Sequence, residues 1–308
     1  MRQYLLDFFT QFAYPAEAIN EFLYAYDKLY SCKEAATIFD QQITSYETTN
    51  HLDREETLLK ACEAARLADV PEDHATFLIY CCLSQHLKHL YKVNSFSLDV
   101  WYDTMYDLRI KAQECKTVKG HWGSFVSGWF TEFFNLNRFA LGRLQFEIVR
   151  FIGTYGKYNA HGVQLKDEND VIINVHIPSG SRLPYSEVLD SYKKAHQWFR
   201  TLRKNGKTVF GCWSWLMYDK LPSIAGEGTN TYQFIMDYET VMSKEDPEFI
   251  DCWRLFDIPY TGDPKALSRN GGLRKRYAEY LEHGGTAGTG YGIAVFDGEK
   301  VLSRKQLP

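Results

Sequence analysis

Four side chains in the second half of this 308-residue chain have the types and positions needed to move protons: His176, Glu147, Ser214 and Tyr232. His176 closes the run Val171-Ile-Ile-Asn-Val-His-Ile177 and, by the period of two of an extended strand, shares a face with Ile172 and Asn174. An imidazole there serves as a general base, since its ordinary pKa is about 6.5, or as a structural group at the end of the sheet. Glu147 belongs to Arg143-Leu-Gln-Phe-Glu-Ile-Val149, whose strict alternation puts Arg143, Gln145 and Glu147 on one polar face. Its carboxylate is placed to orient an imidazole or, if burial raises its pKa, to take a proton itself; the competing use is an ion pair with Arg143 or Arg150. Between the His176 strand and the next helix lies Ser179-Gly180-Ser181-Arg182. Backbone N–H groups, two hydroxyls and a guanidinium at a helix N-terminus are the chemistry of anion binding. Ser214 alternates with Cys212 and Leu216 in an apolar run, where core packing competes with catalysis, and Tyr232 follows Thr229-Asn230, a helix N-cap candidate. Cys212 sits in that same run with no visible base and reads as an inert buried thiol.

The elements that must position these groups follow from hydrophobic periodicity. Residues up to about 135 are helical by their three-and-four spacing; a helix opening at Pro71-Glu72-Asp73 carries Phe77, Cys81, Ser84, Leu87 and Tyr91 on one side and His86 and His89 on the other. Cys81 and Cys82 with those histidines lack a four-ligand spacing and are assigned to helix packing. Beyond Arg143 the period changes to strands. HGVQLK, the turn Asp167 to Asp170 and VIINVHI read as a hairpin; a helix follows from Pro184 with Val188, Tyr192, Ala195 and Phe199 on one face. TVFGCWSWLM reads as a central strand, then come a helix from Thr229, a strand at CWRLFDI, a helix from Leu273 to Leu281 and a last strand YGIAVF. The glycine-rich GGTAGTGYG reads as a helix C-cap and a tight turn. The expected class is α/β (α+β): a helical domain over 1–135, then a mixed sheet flanked by helices over 136–308, with Gly120 to Phe130 as the junction.

Composition narrows the function classes. A net charge of −4 without a Lys/Arg block argues against nucleic-acid partners. No run of eighteen or more uncharged apolar residues predicts a membrane span, and the N-terminus, interrupted by Asp7 and Gln11, reads as a buried helix rather than a signal peptide, so a cytoplasmic location is expected. Seven cysteines without C-x-x-C spacing give neither a disulfide framework nor a zinc site, and no metal is expected. The 21 Tyr and 20 Phe either pack in the core or line a cleft.

The stretches Leu141 to Glu147, Val171 to Leu183 and Cys212 to Met217, together with Thr104 to Cys115, Trp122 to Phe130, Gly228 to Phe234 and His283 to Gly298, carry a resemblance over most of residues 70–298. They resemble a bacterial family of acyltransferases with a helical N-acyltransferase N-terminal domain and a GNAT-like C-terminal domain. The resemblance implies a thioester donor, acyl-CoA or acetyl-CoA, lying in a V-shaped opening between two parallel strands, with main-chain groups of Val175 and Ile177 along it and its pyrophosphate at Ser179, Gly180, Ser181 and Arg182. Where that superfamily repeats glycines in the phosphate loop, this chain has Gly180 alone, which leaves an acyl carrier protein open as the donor. The implied reaction is direct attack by a small-molecule amine, with His176 or Glu147 as the base and Ser214 or Tyr232 serving the leaving thiolate. The competing reading is a ligand-binding or regulatory module that keeps the fold without turnover.

Overall fold

The computed structural model describes residues 1–305, which form two compact units, 1–140 and the remainder from Leu141. Among the described residues no helix is long and apolar enough to cross a membrane. All seven cysteines carry free thiols.

The first unit is helical: α1 (Arg2–Gln11), α2 (Ala16–Ser31), α3 (Lys33–Thr49), α4 (Arg54–Ala68), α5 (Glu72–Val93), α6 (Leu98–Lys119) and α7 (Thr131–Phe134). Local chemistry sets the ends. Asp53 and Ser97 cap α4 and α6 by accepting the backbone N–H of Glu56 and Asp99, and Gly120 closes α6 in the left-handed region. Helix α5 is buried over most of its length and serves as the central post. Here the rings are core: Phe22 stacks between Phe9 and Phe77 at centroid distances of 5.2 and 4.7 Å, and all three are fully buried.

The chain enters the second unit through β1 (Arg138–Leu141), which straddles the boundary. There follow β2 (Leu144–Arg150), β3 (Tyr158–Ala160), β4 (Val163–Leu165), β5 (Val171–His176), α8 (Tyr185–Trp198), β6 (Thr208–Ser214), α9 (Leu221–Ala225), α10 (Asn230–Ile235), β7 (Glu239–Glu245), α11 (Cys252–Phe256), α12 (Gly272–Glu282) and β8 (Gly288–Phe296). Within the second unit the sheet order is β2-β5-β6-β8-β7, and of these four pairings β5 with β6 is parallel and the others are antiparallel. One face packs on α8 through Phe146, Tyr192, Phe210 and Phe296, with Tyr192 stacked on Phe210 at 4.8 Å. The other carries a second core of Ile172, Val209, Tyr291 and Ile293 under Phe151, Tyr158, Val163 and Leu165.

The structure corrects the local readings at five points. The β4 segment pairs with β3, not with β5, because His161 and Gly162 both adopt positive φ (53° and 71°) and make the two-residue turn that matches strand twist. The turn at Asp167 to Asp170 is present but leads β5 to pair with β2. CWRLFDI is the helix α11, since Cys252, Leu255 and Phe256 recur at helical spacing and are the buried positions. Strand β7, unforeseen, is an edge strand with charged residues at both ends and a bulge at Thr240–Met242, so it lacks an apolar alternation to read. The central strand stops at Ser214; Trp215–Met217 is a 3-10 turn.

That turn explains the glycines of the last strand. Gly284, at φ 86°, does end α12, but Gly288, Gly290 and Gly292 recur at the strand period on one face of β8. A Cβ on Gly290 would lie 2.1 Å from the Met217 carbonyl oxygen, and one on Gly288 would enter the Tyr218 ring. Gly290→Ala is therefore expected to destabilise the fold by roughly 1–3 kcal/mol or more. The check is the denaturant midpoint: an unchanged value would mean that the 215–217 turn does not press on β8.

Asp237 is fully buried, accepts from Tyr185 Oη at 2.9 Å and pairs with Arg304, while its Oδ2 has no hydrogen-bond partner among the described residues. Burial pushes its carboxyl up to about 6, against the pull of Arg304 and Tyr185. The folded chain then holds this proton more tightly than the unfolded chain, so the group's contribution to stability is complete below about pH 4 and is lost as pH rises through about 6. In Asp237→Asn the stability relative to the parent should move in the variant's favour by roughly 2–3 kcal/mol between pH 4 and 6.5. Unfolding midpoints across that range decide it: the constant offset reports lost hydrogen bonds, and a zero slope would refute the raised pKa.

Candidate active site

The antiparallel register of β2 and β5 sets Glu147 opposite Asn174 and Gln145 opposite His176, so these four side chains share one face of the sheet. Glu147 and His176 are diagonal neighbours, and their side chains meet: His176 Nε2 lies 2.6 Å from Glu147 Oε2, with side-chain exposures of 15% and 14%. Asn174 Nδ2 stands 3.2 Å from the same nitrogen. An ionised carboxylate only accepts, so the contact places an imidazole proton on Nε2. A carboxylate holding one nitrogen of a histidine while the other acts as base is the arrangement that orients the ring and stabilises the imidazolium.

The pair stands where the two parallel strands part. The β5–β6 ladder consists of Ile173↔Phe210 and Asn174↔Gly211, after which β6 continues to Ser214 along β8. Val175 and His176 form one arm of the opening and Cys212 to Ser214 the other. Gly211 sits at its apex, where a Cβ would come within 2.7 Å of Ile172 Cδ1 and 3.2 Å of the Tyr291 hydroxyl.

Beyond β5 the chain turns through Ser179 to Arg182, all exposed, with Gly180 at φ 86°. Arg143 holds this turn: its Nε donates to the Arg182 carbonyl at 2.8 Å and its Nη2 to the Ser181 carbonyl at 3.0 Å. Burial lowers the Arg143 pKa, partly offset by Glu187. Helix α8 starts after Pro184, which supplies no side-chain cap, so its first N–H groups and dipole face the turn.

The other expected site residues lie apart. Ser214 caps the 3-10 turn by accepting the Leu216 N–H at 3.1 Å, and by alternation from Gly211 it faces away from the side that carries Asn174 and His176. Tyr232 is buried in α10, a helix capped by Thr229 and packed on α8, α9 and the 215–217 turn. Burial pushes the Cys212 thiol up to about 12, in keeping with an inert core residue. Three participants had drawn no such role from the sequence. Arg143, weighed there as a partner for Glu147, anchors the turn; Arg150 donates to the Glu168 carbonyl. Asn174 touches His176. Trp213 shares the face of Gly211, is 38% exposed, and meets Tyr155 at 4.7 Å. Its signal, a large ring on the polar-side register of a central strand, was present in the alternation.

Comparison with known proteins bears on the fold and the family. No curated protein sequence matches the chain. A solved mutant acyltransferase in complex with octanoyl-CoA superposes with a TM-score of 0.69 at 16% identity, over 93% of this chain and 86% of that one. An acyltransferase in complex with decanoyl-CoA and teicoplanin gives 0.61 at 13%, over 93% and 98%, and one with CoA and 10C-teicoplanin gives 0.60 at 16%, over 75% and 67%. Likeness at this identity establishes a shared fold. The N-acyltransferase N-terminal domain family matches residues 3–136 and the GNAT-like C-terminal domain family matches residues 138–294. The chain belongs to the family that joins these two domains.

Proposed function

We propose that this protein is an N-acyltransferase that moves an acyl group from an acyl-CoA thioester to an amine by direct attack. The observation that carries the reading is the 2.6 Å His176–Glu147 pair at the mouth of the parted β5 and β6 strands. The donor's thioester lies in that opening, its main-chain contacts supplied by Val175 and Ile177 on the β5 side. Its phosphates meet Ser179 to Arg182 and the uncapped start of α8, where dipole and N–H groups favour an anion without a positive overall charge. The amine loses a proton to His176 Nδ1 as its nitrogen bonds the thioester carbon, and Glu147 stabilises the imidazolium. Collapse of the tetrahedral intermediate breaks the C–S bond, and the thiolate takes the proton that the imidazolium carries; Ser214 and Tyr232, on the other side of the sheet, have no part in this step. That the related folds were solved with octanoyl-CoA or decanoyl-CoA supports the donor class.

The test is calorimetric titration with acetyl-CoA and octanoyl-CoA, followed by thiol release against a panel of amines. Saturable binding that weakens about tenfold in Arg182→Ala supports the donor site. His176→Gln and Glu147→Gln should keep donor affinity while losing on the order of 10²-fold and at least 10-fold in turnover, respectively. Binding without release for any amine would favour the ligand-binding module; no heat with either donor would overturn the acyl-CoA reading in favour of a carrier protein.

A further inference from the structure

Three potential metal ligands converge in the helical unit. Asp73 lies in the first turn of α5, Cys115 in the last turns of α6, and His121 in the turn just after α6. Their ligand atoms all lie within 4.8 Å of one another, with His121 Nε2 2.9 Å from Asp73 Oδ2. The backbone is shaped for this approach. Gly120 turns the chain at φ 80°, and Gly123, at φ 139°, passes so close to Asp73 that a Cβ would stand 2.9 Å from its carbonyl oxygen, which also accepts the Ser124 N–H. An independent feature adjoins the cluster: His74, 4% exposed, bonds Glu21 through Nε2 at 2.8 Å, lies parallel to the His121 ring at 6.1 Å, and leaves Nδ1 without a hydrogen-bond partner among the described residues. A buried polar nitrogen without a protein partner is expected beside a position that an ion and its water occupy.

We propose that Asp73, Cys115 and His121 bind one divalent transition-metal ion, Zn2+ by the chemistry of the set. A thiolate and an imidazole select zinc over magnesium or calcium, and a carboxylate completes a three-ligand site. Metal–ligand bonds of about 2.0–2.3 Å place tetrahedral ligand atoms roughly 3.5 Å apart, so the 2.9 Å His121–Asp73 pair opens slightly and the wider separations, at most 4.8 Å, close. On binding, the Cys115 thiol gives its proton to solvent, and the single His121–Asp73 hydrogen bond is replaced by a bond from each residue to the ion. Three protein ligands leave the fourth position to water, and side-chain exposures of 40% for His121 and 32% for Asp73 give the ion a path in.

The experiment uses the untagged full chain, stripped with a chelator and titrated with Co2+ as a spectroscopic probe and with Zn2+ in competition. The expected result is one equivalent bound, with a thiolate-to-cobalt charge-transfer band that Zn2+ abolishes and that is missing in Cys115→Ser. Because Cys115 is buried, a second arm uses His121→Ala in the turn after α6, which leaves the core packing of α6 intact: affinity should fall at least tenfold and the Zn2+-induced rise in unfolding temperature should vanish. A band that persists in Cys115→Ser, or a parent protein that binds neither ion stoichiometrically, overturns the site.

Discussion

Everything at the proposed centre depends on how briefly β5 and β6 pair. Two parallel strands need a crossover, and here it is the turn after β5 and helix α8. The crossover starts at the carboxyl end of β5, so the start of α8 and the parting of the strands share the same end of the sheet. This is the end at which open α/β sheets hold their ligands. Had the ladder continued past Asn174, the main-chain groups that face β6 beyond it would be consumed by that strand and no opening would exist. Gly211 marks the limit, because at that register Ile172 and Tyr291 leave no room for a side chain.

The polar face of β2 then divides its work along the strand and the residue before it. Arg143 spends its guanidinium on two carbonyls of the Ser179–Arg182 turn. Glu147, two pleats further on, meets His176. Each interaction spans two segments aligned by the β2–β5 register, so a slip of one residue would send both charged groups to the face packed on α8. The apolar side of the same strand, Phe146 against Tyr192 and Phe210, is what prevents that slip.

Sequence periodicity was sufficient for the helical first unit, for β2, β5 and α8, and for the shared face of Asn174 and His176, because each is a run with one clear period. It was also sufficient to nominate Glu147 beside His176, although only the register shows that they touch. What it missed has physical causes. β7 is a polar edge strand, α11 is too short for its spacing to stand out against an apolar run, and the β3–β4 turn relies on a non-glycine residue, His161, at positive φ. Arg143 was ambiguous because a guanidinium on a polar face serves a carboxylate or a carbonyl equally well. Asp73, Cys115 and His121 escaped notice since they gather from two helix ends and a turn, with no short ligand spacing except that between Cys115 and His121.

On the acyltransferase reading, the magnitudes say where donor affinity must come from. A net charge of −4 offers no long-range attraction for a phosphorylated donor, and Glu187 sits in the first turn of α8. A helix N-terminus contributes about 0.3–1 kcal/mol toward an anion and a hydrogen bond to a charged group about 1.5–3 kcal/mol. Micromolar binding needs about 8 kcal/mol. One such bond with the helix end falls short, so affinity draws on several donors of the Ser179–Arg182 turn and on two further sources: main-chain groups released by the parted strands, and burial of the acyl chain at about 0.8 kcal/mol per CH2. The first is common to all CoA esters; the second grows with chain length. The face that carries Gly211 also carries Trp213 and Tyr155, whose rings supply apolar surface beside the opening, so selection among donors falls to the acyl chain rather than to the phosphates.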